Sequence, residues 1–135
     1  SLDDLGVVAA LTETARRLED AGHAVTVIDR LPGRLPDWQE TLLFRIGQEA
    51  LTNVAKHAPG AAVCLELALN EARDAVVLSV EDAGGEPRVV SAETAPRFGL
   101  EIMRERLAAV AGRLEAGPTA RGFRIRASVP MAGLA

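Results

Sequence analysis

Glu49, Asn53, Lys56 and His57 fall at helical spacing in QEALTNVAKH, residues 48–57, on a segment that is otherwise apolar. With 3.6 residues per turn, Glu49 and Asn53 stand one turn apart, and Arg45, Thr52 and Lys56 lie within about 60° of them on the same side. A carboxylate, an amide and an ammonium in one row suit a metal-bound polyphosphate. Asn53 can offer a neutral oxygen to Mg²⁺, a hard cation that keeps several of its waters, while Lys56 can neutralise phosphate as a point charge. Glu49 can orient a water or accept a proton. The same mixture would equally make a solvated helix face.

A second chemical feature is VLSVEDAGG, where the inward phase of a strand runs Val76, Leu78, Val80 and then Asp82. Burying a charge without a partner is costly, so Asp82 is expected at the edge of a pocket or against a strong donor such as an adenine amino group. Gly84 and Gly85 would let a flat ring approach the backbone. Alternatively, residues 82–85 form only a strand-ending turn. Other residues carry less. His23 reads as structural, Arg97 and Arg104 as solvating or phosphate-facing, and Gly99 as a hinge or a helix start that bares N–H groups.

These residues need elements to position them. Residues 3–21 read as an amphipathic helix with Leu5, Val8, Leu11, Ala15 and Leu18 inward and Gly22 as its stop, followed by a strand over 24–29. After a Pro-rich loop, Asp37 is placed to cap a helix to about His57, with Leu42, Leu43, Ile46, Ala50, Leu51 and Val54 on its core stripe. Ala58-Pro59-Gly60 ends it. Residues 62–69 and 75–82 alternate as antiparallel neighbours across the turn NEARDA. Residues 83–98 have no period and read as a lid. A helix from Gly99, with Leu100, Met103, Leu107 and Val110 inward and Gly112 as its stop, leads to strands at Arg113–Ala116 and Phe123–Val129. The expected fold is a two-layer α/β sandwich: a mixed, mostly antiparallel sheet of about five strands with three helices on one face.

Composition sets the outer limits. The 135 residues, 48% of them hydrophobic, amount to one domain with a proper core. A net charge of −4, one Trp and no Tyr argue against a nucleic-acid platform, so any anion must be held locally. The single Cys64 excludes an intramolecular disulfide and a Cys-built zinc site, and fits a reducing compartment. No apolar run approaches 18 residues.

In this order, QEALTNVAKHA, the Asp82 strand end, a lid, and GLEIMRERLAAVAGRL resemble the ATP-binding domain of sensor histidine kinases of the NarX/DesK type. The shared fold is that of the gyrase, Hsp90, histidine kinase and MutL superfamily. The resemblance runs from the approach to residue 50 through GFRIRASVP. It implies ATP and Mg²⁺ as cofactors, with Asn53 on the metal and Glu49 and Lys56 in catalytic roles. It also implies His57 near the phosphates, Asp82 on the adenine amino group with Gly84 making room for the ring, and Gly99 with Leu100 at the closing end of the lid. Four residues depart from the family pattern: Glu86 and Arg97 stand where glycines are usual, Ile102 where another is, and Phe123 where a Thr follows Gly122. The acceptor histidine of the family belongs to upstream dimerisation helices whose motif this sequence lacks, so this chain is expected not to autophosphorylate alone. The implied setting is the cytoplasmic part of a dimeric kinase, often membrane-anchored, that phosphorylates a DNA-binding response regulator. Two other readings stay open: a degenerate module acting through partner contacts, and an anti-sigma-factor type of serine kinase.

Overall fold

The computed structural model describes residues 2–84 and 97–131. Elements run α1 (Leu2–Asp20), β1 (Val25–Asp29), α2 (Asp37–His57), β2 (Val63–Leu69), β3 (Ala75–Asp82), α3 (Arg97–Ala108), β4 (Arg113–Pro118) and β5 (Phe123–Pro130). Most of the expected lid, including Gly85 and Glu86, lies outside the described residues, as do the side chains of Arg97 and Phe98.

The strands form one sheet in the order β1-β2-β3-β5-β4. Only β1 and β2 are parallel; the other three pairings are antiparallel. Alternation decides which face is covered. Val63, Leu65, Leu67, Val76, Leu78, Val80, Ile125, Ala127 and Val129 are buried in one core cluster with Leu11, Leu43, Ile46, Ala50, Leu51 and Leu107 from the helices. The opposite phase, with Glu66, Ser79, Arg124 and Arg126, faces outward. The fold is therefore the expected two-layer α/β sandwich, a five-stranded mixed sheet beneath three helices.

Three local expectations need correction. The first helix is broken at Gly6 (φ 89°, ψ 173°), which shifts its phase: Val7 is buried and Val8 half-buried, while Leu5 is 67% exposed. Asp37 is the first residue of α2 and not its cap; Pro36 takes that place, its carbonyl receiving the Gln39 and Glu40 N–H groups. Finally, α3 starts at Arg97 and ends before Val110. Its last turn closes through Gly112 N–H to Leu107 O at 2.7 Å, with Ala111 in the left-handed conformation (φ 60°).

The Arg34–Glu40 ion pair braces the entry to α2. The Arg34 guanidinium grips Glu40 through Nε–Oε2 at 2.9 Å and Nη2–Oε1 at 2.8 Å, and the Leu35 N–H adds a third donor at 3.1 Å. Those bonds hold the Glu40 carboxyl below its usual pKa, against the opposing effect of burial. Arg34 Nη1 also donates to the Asp4 carbonyl at 3.3 Å, tying α2 to the chain before the Gly6 break.

Candidate functional site

Helix α2 carries the first group of candidates across the sheet. Asn53 is 5% exposed, Glu49 and His57 are half-buried, and Lys56, Thr52 and Arg45 are exposed. The row is solvated at Arg45, Thr52 and Lys56 and passes into the interior at Asn53. Asn53 takes that position because Ala50, Leu51 and Val54 around it pack on the sheet.

Asp82 supplies the second group. It ends the inward row of β3, 2% exposed, paired in register with Val63 on one side and Phe123 on the other. Its Oδ1 accepts the Gly84 N–H at 2.9 Å. That bond closes an Asx turn, so the strand-ending turn and the buried carboxylate are both present, and the turn uses one carboxylate oxygen.

Gly122, on the β4–β5 connection, completes this end of the sheet. A Cβ there would collide with the Asp82 carbonyl and come within 2.7 Å of the Gly84 nitrogen. Only a glycine permits this backbone approach, and the approach fixes the turn that carries Asp82. Sequence reasoning did not assign Gly122 to the site; the available signal was a lone glycine opening an alternating strand.

Where α2 meets α3, Gly99 lies directly against the Glu49 carboxylate, and a Cβ at Gly99 would come within 2.5 Å of Glu49 Cδ. No acidic residue of α3 itself stands in its first turn, so Glu49 supplies the negative charge beside that helix start. The two residues line an open cleft of about 390 Å³ with Leu42, Arg45, Ile102, Met103 and Arg106. Leu100 is half-buried against the core and does not line this cleft.

The described residues therefore form two clusters, Glu49 with Gly99 and Asp82 with Gly84 and Gly122, and Asn53 lies one turn along α2 from the first. Among the described residues no group of three or more His, Cys, Asp or Glu is arranged to hold a metal. The donors present, one buried amide and one carboxylate a turn away, fit Mg²⁺ only when it arrives with most of its shell supplied by water and phosphate. Cys64 is not a candidate nucleophile: burial, then Glu66 and Glu81, push its thiol pKa up.

No family model matches the chain. Among curated proteins it is 34% identical over 134 residues to the signal transduction histidine-protein kinase/phosphatase UhpB of Salmonella typhimurium, covering 96% of this chain and 25% of that protein. The chain is homologous to sensor histidine kinases. It spans about a quarter to a third of the length of the curated relatives it matches. Among solved structures, the blue-light activated histidine kinase of Erythrobacter litoralis EL346 superposes with a TM-score of 0.76 at 18% identity, covering 95% of this chain and 42% of that one. The catalytic domain of histidine kinase ThkA superposes with a TM-score of 0.73 at 11% identity, covering 93% of this chain and 89% of that one. The sandwich is the fold of a histidine kinase catalytic domain.

Proposed function

We propose that this chain is the ATP-binding catalytic domain of a longer sensor histidine kinase, binding Mg·ATP and presenting its γ-phosphoryl group to an acceptor histidine on separate dimerisation helices. The observation that carries the reading is Asp82: a carboxylate 2% exposed at the end of a central strand, held by an Asx turn that closes on the Gly84 N–H. The nucleotide, when bound, supplies the phosphoryl group together with its metal.

The chain's own residues do the rest. Asp82 accepts from the adenine amino group and Gly84 admits the ring. Asn53 offers its amide oxygen to the metal, and Lys56 and His57, at the open end of α2, balance phosphate charge. Glu49 orients or deprotonates the attacking group, and Gly99 with Leu100 marks where the lid returns to the fold. Catalysis by such a set is positioning and charge stabilisation. In this reading the domain does not phosphorylate itself alone, works in the cytoplasm of the parent cell, and serves a DNA-binding response regulator indirectly.

Titration calorimetry with ADP and a non-hydrolysable ATP analogue, with and without Mg²⁺, tests it. Binding should depend on Mg²⁺, weaken by on the order of tenfold in Asn53→Ala, and vanish in Asp82→Asn, which exchanges one acceptor oxygen for a donor facing the amino group. No binding at millimolar nucleotide would instead favour a module that works through partner contacts. One observation points that way: Phe123, the register partner of Asp82, is buried and apolar where the family usually has a hydroxyl.

A further inference from the structure

The loop over 58–62 carries the chain from Lys56 and His57 at the end of α2 into β2. Two of its backbone groups are met by a single side chain from the turn after α1. His23 Nδ1 lies 2.7 Å from the Ala61 carbonyl, and the Gly60 N–H lies 3.3 Å from His23 Nε2. His23 is 6% exposed. The partners determine its tautomer, since a carbonyl only accepts and an amide N–H only donates: Nδ1 carries a proton and Nε2 the lone pair.

The next residues pass this constraint to the candidate site. The Ala62 carbonyl accepts the Ala83 N–H at 2.9 Å, and Val63, whose own N–H donates to Ala24 O at 2.8 Å, pairs in register with Asp82. Ala83 lies between Asp82 and Gly84, the two ends of the Asx turn. The run from residue 60 to 63 thus connects the imidazole to the turn that orients the carboxylate. An apolar side chain in place of His23 would fill the volume yet leave the Gly60 N–H and the Ala61 carbonyl unmet.

We propose that His23 is a positioning residue for the Asp82 site, acting through residues 60–63 and the Ala62–Ala83 hydrogen bond to hold the Asp82 carboxylate where it meets an adenine amino group. This rests on the reading of the chain as an adenine-nucleotide binder. His23→Leu removes both ring contacts, and His23→Asn keeps a donor within reach of Ala61 and serves if the leucine variant does not fold. Two readouts separate positioning from general support. The first is amide hydrogen exchange without nucleotide, comparing Ala83 and Gly84 with Leu78 at the centre of β3. The second is calorimetric affinity for ADP and for IDP, whose base lacks the amino group.

The expected result is exchange at Ala83 and Gly84 faster by on the order of tenfold while Leu78 is unchanged. The preference for ADP over IDP should fall several-fold in His23→Leu and recover partly in His23→Asn. Uniformly faster exchange, with ADP and IDP weakened in equal proportion, would mean a purely structural histidine and overturn the proposal. So would an unchanged ADP preference in folded variants of a protein that has that preference. If the unsubstituted protein does not distinguish ADP from IDP, the adenine reading of Asp82 fails, and this role of His23 fails with it.

Discussion

Single side chains carry this domain's polar chemistry by being buried with particular partners. Glu40 is 3% exposed and receives two bonds from Arg34 and one from Leu35. Glu40→Gln, which weakens charge-assisted bonds without changing volume, should cost about 1–2 kcal/mol of unfolding free energy by urea titration. The same pair makes stability depend on acid. The folded pKa of Glu40 lies below its reference of 4.5, so its contribution is present above that value and is lost as pH falls below it toward the folded pKa. The unfolding midpoint of Glu40→Gln should accordingly change less than that of the parent between pH 5 and pH 3, values set by the reference carboxylate range. Gly122→Ala makes a different test. Its added methyl meets backbone atoms of Asp82 and Gly84 that cannot rotate away. It should weaken ADP binding by on the order of tenfold while the far end of the sheet keeps its amide protection.

Among the elements, α1 and α2 pack against each other over the sheet, and Gly47 lies at their contact. A Cβ on Gly47 would lie 2.5 Å from Leu11 Cδ2, and Leu11 has no exposed surface into which to retreat. Alanine at 47 gains about 1 kcal/mol of helix propensity but must displace a close-packed side chain. Gly47→Val should therefore destabilise by about 2–3 kcal/mol, and Leu11→Ala by about 2–5 kcal/mol through the cavity it leaves. Together they should cost less than the sum, because each relieves the fault the other makes; a double-mutant cycle on urea midpoints reads this coupling. Additive costs would mean the two helices do not touch there.

The described residues share one core cluster drawing on every helix and on strands β2 to β5, so the molecule as a whole should unfold in a single cooperative transition. On the proposed nucleotide-binding function, ADP with Mg²⁺ at about a hundred times its Kd should add roughly 2.7 kcal/mol of stability, seen as a higher Tm that Asp82→Asn no longer shows. Much of this architecture was legible from residue order alone. Alternation in VCLELAL, AVVLSVED and FRIRASVP fixes which side of each strand is apolar, and the three- and four-residue spacing in α2 does the same for the helix, because side-chain direction follows backbone period. The inward place of Asp82 came from the same period. Period says nothing about contacts between segments distant in sequence. That Asn53 is buried and not on a wet face, that Glu49 rests against Gly99, that Gly122 presses on the Asp82 turn and that His23 spans Gly60 and Ala61 are all matters of how separate elements meet. Local phase was set by the chain itself. Which polar groups converge was decided only by tertiary packing, since helices and strands must first stack their apolar faces, and the polar groups at their ends meet where that stacking leaves them.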